Sequence, residues 1–380
     1  MKILLIGEYS RLHNSLKEGL LILGHDVFII ADGDHFKKFD VDYSIRPTLF
    51  SDYWLLKKLS YFCYKILKID FTKLERAYRF HSFLPQLKKY DIVQLINSDA
   101  IETYPIFSKI LLKKIFFQNK KTILLVCGDE TPVIDYLLKD KFQYSILTPL
   151  LHNPKMKKKF FYSLKYTRKN YRNLFEFVSG NVSKIITSDL DYKIPMEKMG
   201  FQTTLIPNPI NTKKIQFNSL EISGKINIFL GINTGSSIKK GTIYFEKALE
   251  IISRKYPEKV EIIITQNIPY NKYINIYNKA HILLDQVYGL DQGYNALEAM
   301  AKGKVVFTGA ETQFMSYYNL NERVCINAIP DIEYLVNELS FLIENSNEII
   351  EIGKRARKFI EKEHDYIDIT EKYLRAWNFR

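Results

Sequence analysis

The sequence predicts an α/β protein made of two doubly wound, parallel-sheet domains. Three observations carry that expectation. The chain has 380 residues, more than one ordinary core takes up. Apolar runs of strand length alternate with segments of helix length. The alternation occurs twice, and a stretch rich in proline and asparagine separates the two series.

The first thirty residues read strand, helix, strand. "KILLIG" and "VFII" are continuously apolar, as strands buried on both faces are. Between them Leu12, Leu16, Leu20 and Leu23 share one helical face, and Gly24 is placed to end that helix. Further strands are expected at 91–97, 121–128, 184–189 and 203–208. The second series has strands at 225–232, 260–265, 281–286 and 304–309, with helices over about 242–255 and 295–302. "IPNPINTKK" interrupts the pattern, which sets the domains at 1–205 and 206–360, and a helical tail at 361–380 is broken near His364 and Asp365.

Composition narrows the classes. Hydrophobic residues at 46%, charged residues at 26% and only 12 prolines and 16 glycines predict a chain folded throughout. Cys63, Cys127 and Cys325 form no CxxC pair, which suits a reducing compartment, and the N-terminus lacks the pattern of a signal peptide, so a cytoplasmic protein is expected. No apolar run reaches the roughly 18 residues of a membrane span. A net charge of +13 calls for an anionic partner: nucleic acid, anionic lipid or a phosphorylated small molecule.

In open parallel sheets, ligands sit at the carboxyl ends of strands, where helix N-termini present free N–H groups. Two stretches have that layout. In "GINTGSSIKKGTIYF" a strand leads through Gly235, Ser236, Ser237, Lys239 and Lys240 to a helix; small residues, hydroxyls and lysines there suit a diphosphate, with Lys240 the leading candidate. The spacing is not that of a Walker A loop, so ATP hydrolysis is disfavoured. In "LDQVYGLDQGYNALEAMAKGKVVFTGAE" a strand ends at Asp285, Gly293 permits close backbone approach, and the helix start at Asn295 makes an anion site. Glu298, a turn further on, is placed to accept hydrogen bonds from ribose hydroxyls; the competing reading is a solvated carboxylate that offsets the helix dipole. Asp291 is expected as the helix N-cap.

These segments, with "IPNPIN" and the N-terminal strand-helix-strand unit, resemble the retaining GT-B glycosyltransferases of the family 4 type, "ALEAMAKGKVV" being the most specific part. The resemblance implies the GT-B fold, with two Rossmann-like domains facing a cleft and a C-terminal helix crossing back to the N-terminal domain. It implies a UDP- or GDP-sugar as donor substrate, no separate cofactor, and a glycan or polyprenyl-linked acceptor in surface polysaccharide synthesis. Glu298 matches the family's ribose glutamate and Lys240 its diphosphate lysine, while Gly293, Tyr294 and Asn295, with Ala296 beside them, would offer backbone N–H groups. There are two departures: Leu290 stands where the family has the first glutamate of its pair, and the arginine usual in the Gly/Lys loop has no clear counterpart. Asp285 or Asp291 are the candidates to replace that carboxylate.

In the N-terminal half, "LLVCGDE" resembles the family's strand-end motif with Cys127 in place of histidine. That makes Asp129 or Glu130 the polar residue expected near the reacting carbon, the other reading being a helix N-cap before Pro132. Glu8, Arg11, His13 and Asn14 in the first loop are the acceptor candidates. Three DxD matches ("DGD", "DVD", "DLD") and seven histidines without an HxH or HxxxH pair give a metal site little support, so metal-independent activity is expected.

The stretch that opens at Asn153 and closes at Asn173 has eight Lys or Arg, no acidic residue and interleaved aromatics. Such helices lie on anionic bilayers, which would suit a lipid-linked acceptor at the inner membrane face. Nucleic acid and a plain solvated helix are the competing partners for it. A nucleic-acid-binding protein gives no role to Glu298 or the two glycine-containing turns, and a GT-B epimerase acting on the nucleotide sugar alone is the alternative enzyme.

Overall fold

The computed structural model describes residues 1–34 and 39–378; positions 379–380 of the expected tail lie outside the described residues. Two all-parallel sheets organise the chain. The first holds β1 (Lys2–Ile6), β2 (Asp26–Ala31), β3 (Tyr43–Ser44), β4 (Ile92–Leu95), β5 (Lys121–Val126), β6 (Lys184–Thr187) and β7 (Thr204–Leu205), in the order β3-β2-β1-β4-β5-β6-β7. The second holds β8 (Ile226–Ile232), β9 (Val260–Gln266), β10 (Ile282–Leu284), β11 (Val305–Thr308) and β12 (Ile326–Asn327), in the order β12-β11-β10-β8-β9. Helices cover both faces of each sheet, so the central strands are buried on both sides; Ile3, Leu4, Leu5 and Ile6 of β1 are all at 0% exposure. β3 and β12 are two-residue edge strands, too short to show any periodicity in sequence.

The last helix, Tyr366–Asn378, belongs to the core of the first lobe through Ile369, Tyr373 and Trp377. A Cβ at Gly19 would strike the Thr370 side chain, so the helix Leu12–Ile22 can approach it only because residue 19 is glycine. Indole Nε1–H of Trp377 donates to Gln94 Oε1 at 3.1 Å inside that core. The chain crosses between lobes twice, at 205–226 and near 364, and the crossings are bonded to each other. Ile210 N donates to the His364 carbonyl at 2.8 Å, and Tyr366 N returns the bond to the Ile210 carbonyl at 3.1 Å.

The basic stretch 153–173 is not the single amphipathic helix its composition predicts. It folds as a 3-10 segment Pro154–Phe160, a short helix Phe161–Leu164, a further 3-10 turn Lys165–Thr167 and the start of the helix Lys169–Ser179. Much of its chemistry is spent inward: Phe160, Ser163, Tyr166 and Tyr171 are buried, Lys165 pairs with buried Asp99 at 2.9 Å, and Arg172 pairs with Asp135. Proline at the start and buried partners throughout override the helical periodicity.

Candidate functional site

In the second sheet the strand order reverses between β8 and β10, and both glycine-containing turns leave from there. Gly241 holds φ at +67°, and a Cβ on it would strike Val287, so the turn after β8 lies directly on the turn after β10. Val287 N donates to the Lys240 carbonyl at 2.9 Å across that contact. Lys240 Nζ sits 2.7 Å from Asp285 Oδ1, where the carboxylate is 2% exposed and the lysine 34%. Asn295 Nδ2 approaches the same oxygen at 3.4 Å. A buried carboxylate thus fixes a half-exposed ammonium, which has three hydrogens and gives one to Asp285. Beside it the helix Tyr294–Ala301 begins at Gly293, and the amides of Tyr294 and Asn295 at its start have no intrahelical acceptor. Tyr273 Oη donates to Asn295 Oδ1 and Tyr277 Oη to its carbonyl, both at 3.1 Å, which locks that helix start.

Several expected donor contacts are placed differently. The amides of Gly235, Ser236 and Ser237 all turn onto Asn233, at 2.9, 3.0 and 2.9 Å, so that loop closes on itself and Lys240 is the group it leaves for a ligand. Ala296 is buried at 0% exposure and its amide is bonded to the Gly293 carbonyl, so it is not a phosphate donor. Asp285 is buried and committed to Lys240, so its carboxylate is not free in the way expected of a replacement for the missing glutamate. Asp291 does not cap the helix that follows it. Its carboxylate accepts from Gln292 N at 2.8 Å and, across the lobes, from Leu190 N at 3.2 Å. Glu298 is half-buried and interacts electrostatically with Arg11, Tyr294 and Lys302.

The first lobe presents the ends of β1, β4 and β5. Asp129, on the loop after β5, is partly exposed, accepts from Ser163 and lies 3.3 Å from Lys239 Nζ. Glu130 is fully buried, caps the helix Thr131–Leu137 and clamps Ser98 through the backbone at 2.8 Å and the hydroxyl at 2.7 Å. Burial pushes its carboxyl up to about 7, and it braces the β4 loop instead of facing the cleft. Of the two acidic candidates, Asp129 is the one at the lobe seam.

After β1 the loop places Gly7, Ser10 and Arg11 at positive φ, strain that clusters at functional sites. Glu8 is 1% exposed: Oε2 accepts from Asn14 N and Nδ2 at 2.8 and 2.7 Å, while Oε1 has no hydrogen-bond partner. Desolvation drives its carboxyl up to about 8. It lines a small recess of about 10 Å³, room for about one water molecule, with Tyr9, Asp32, Ala100 and Glu102. Arg11 pairs with Glu18 at 2.9 Å; burial opposes its charge, but Glu18, Tyr294 and Glu298 outweigh that and hold it ionised. His13 is a core residue, contrary to the acceptor role expected of it. Its Nδ1–H donates to the Gly7 carbonyl at 2.6 Å, so Nε2 accepts from Gln94 at 3.2 Å, and burial lowers its pKa to about 4. Asn14 is occupied with Glu8.

Further contacts cross the seam that sequence spacing did not reveal. Lys239 Nζ reaches Ser163 Oγ at 2.6 Å in addition to Asp129. Tyr294 Oη meets Ser15 Oγ and also donates to the Pro209 carbonyl at 2.7 Å. Asp191, in a "DLD" set aside as a chance match, accepts from Leu290 N at 3.0 Å and Asp291 N at 3.2 Å. Asp291 returns the bond to Leu190, so each lobe caps the other's backbone. Burial raises Asp191 to about 7 and Asp291 to about 6. In sequence "DLD" follows the end of β6 at Thr187 and signals the cap that Asp189 gives the helix Leu190–Lys198, but it carries no signal for the cross-lobe role of Asp191.

A family model described as glycosyl transferase-like matches residues 238–375. None of the curated proteins matches the sequence. Solved structures match along nearly the whole chain. Sucrose-phosphate synthase from Thermosynechococcus elongatus is similar at TM-score 0.60 and 13% identity, over 99% of this chain and 98% of that one. Anabaena HepE, in complex with UDP and glucose, is similar at TM-score 0.59 and 12% identity, over 99% of both chains. The UDP-GlcNAc 2-epimerase from Neisseria meningitidis, bound to UDP-GlcNAc, is similar at TM-score 0.54 and 12% identity, again over 99% of both. The fold is GT-B, two Rossmann-like domains with parallel sheets.

Proposed function

We propose that the chain is a retaining glycosyltransferase that moves a sugar from a UDP- or GDP-sugar to a hydroxyl of a glycan or polyprenyl-linked acceptor, in surface polysaccharide synthesis on the cytoplasmic side of a membrane. The observation that carries this reading is Lys240, anchored by buried Asp285 beside the N-terminus of the helix Tyr294–Ala301. A lysine and a set of helix amides at one switch point suit a leaving diphosphate. UDP is the favoured nucleotide, because HepE and the epimerase were solved with UDP or a UDP-sugar.

As the anomeric C–O bond breaks, its electron pair goes to the diphosphate, and Lys240 with the amides of Gly293, Tyr294 and Asn295 stabilises the charge. The acceptor oxygen attacks from the same face and its proton passes to the departing phosphate oxygen, so no enzyme nucleophile is required. Glu298 accepts from the ribose hydroxyls. Asp129 orients the acceptor hydroxyl at the seam, and the loop after β1, with Glu8 and Arg11, borders the acceptor. Lysine supplies the positive charge, so turnover is expected to persist without a divalent ion.

The test is a panel of UDP- and GDP-sugars incubated with and without a polyprenyl-diphosphate sugar, reading nucleotide release and the anomeric configuration of the product. Acceptor-dependent release with retention, unaffected by EDTA, is the expected result. Epimerised donor without any acceptor would replace this reading with that of an epimerase, and reversible loss of turnover in EDTA would remove metal independence.

A further inference from the structure

The helix Trp54–Leu67, "WLLKKLSYFCYKIL", is built inside out. Its buried residue is Ser60, flanked by partly buried Leu56 and Cys63, whereas Trp54, Leu55, Phe62, Ile66 and Leu67 are each 60% exposed or more. Single exposed apolar residues are ordinary, but a whole outward face of them marks an interaction surface. Lys57, Lys58, Lys65 and Lys68 are exposed among them, and residues 53–69 contain no acidic side chain. Lys58 Nζ lies 4.0 Å above the Trp54 ring and Lys65 Nζ 4.7 Å above the Tyr61 ring, so the ammonium groups fold back along amphipathic rings.

We propose that this helix docks the first lobe on an anionic lipid bilayer, lying in the interface with its aromatic and aliphatic side chains in the headgroup layer and its lysines at the phosphates. The charge decides the occupant. A second copy of the chain, paired two-fold on the same patch, would bring the same four lysines against each other. Leu55, Ile66 and Leu67 offer nothing for a base to stack on, which disfavours nucleic acid. At 14 residues with three lysines the helix is too short and too charged to span a membrane, and no helix among the described residues is long and apolar enough to do so.

The helix that follows this surface reaches the first lobe's recess. The next helix, Phe71–Phe83, is reached through Asp70, whose amide is held by Tyr104 Oη at 2.6 Å, and its Arg76 donates to the carbonyl of recess residue Glu102 at 3.2 Å. Bilayer docking would therefore bring the loop after β1 toward a lipid-linked acceptor, a corollary that rests on the function proposed above. The docking itself does not.

The test is flotation of the full chain with vesicles of phosphatidylcholine alone and of equal parts phosphatidylcholine and phosphatidylglycerol, at moderate salt. The wild type is expected to float with the mixed vesicles only. The triple variant Trp54→Ser, Leu55→Ser, Phe62→Ser and the variant Lys57→Glu, Lys58→Glu, Lys65→Glu should each lower the bound fraction about tenfold, with unchanged melting temperature and UDP affinity. Wild-type flotation by both variants, or loss only on charge reversal at Lys155, Lys157 and Lys158, would overturn the proposal. So would a wild type that stays off the vesicles and forms a dimer that the serine variant dissolves. Failure of the glycosyltransferase reading would appear instead as absent UDP binding, with flotation intact.

Discussion

Lys240 and Asp285 illustrate what one residue contributes. The lysine is placed by a carboxylate that has itself lost water, so removing the charge of Asp285 while keeping its shape should loosen the ammonium without unfolding the lobe. Asp285→Asn is expected to lower kcat/KM about tenfold at unchanged melting temperature; undiminished kcat/KM would show that Asp285 does not position Lys240. Glu8 gives a pH signature. Burial raises its carboxyl from 4.5 to about 8, so between those values the folded chain keeps a proton that the unfolded chain has released. Its contribution is fully present below about 4.5, is lost as pH rises, and is flat above about 8. Glu8→Gln, neutral throughout, should therefore lose less melting temperature than the wild type as pH is raised across that window. Parallel curves for the two proteins would refute the buried, protonated Glu8.

Elements were legible where their periodicity was strong. The long inner strands, the helix with Leu12, Leu16 and Leu20, and the helix after Gly293, observed one residue earlier than expected, all carry local patterns that burial enforces. Lys240 was legible for the same reason, since its turn joins a strand to a helix. What sequence spacing did not carry is tertiary partnership: the Asp191 and Asp291 caps and the Lys239 contact with Ser163 depend on how the two lobes meet, and the burial of His13 depends on β1 and β4 becoming neighbours within the first lobe. The basic stretch 153–173 misled because its lysines and aromatics were counted without their internal partners, Asp99 and Asp135. The outward face of Trp54–Leu67 went unread because an inverted helix has the same spacing as an ordinary one. The terminal helix offers a test at this scale. Trp377→Phe keeps most of the packing but leaves Gln94 Oε1 without its donor, at a cost of about 1–3 kcal/mol. Urea unfolding should report that loss, and an unchanged midpoint would show that the buried Trp377–Gln94–His13 chain does not stabilise the lobe.

The whole molecule is two lobes tied at two crossings that bond to each other through Ile210, His364 and Tyr366, with further contacts across the seam. This conformation is closed around the site: Lys239 spans to Asp129, and Tyr294 to Ser15. Under the proposed function a donor would enter between them, so turnover is expected to require the lobes to part and close again about the crossings. Lys239→Ala should shift solution scattering toward a larger radius of gyration in the free protein, with contraction on adding UDP; identical scattering for wild type and variant would argue that Lys239 does not hold the lobes together. The central claim is that Lys240 and the helix start at Gly293 hold the diphosphate, and the most direct measurement is calorimetric titration of UDP into the wild type and Lys240→Ala. The account predicts at least about tenfold weaker binding in the variant, the loss of one charge-assisted contact. Equal affinities, or no binding of UDP to the wild type, would contradict it.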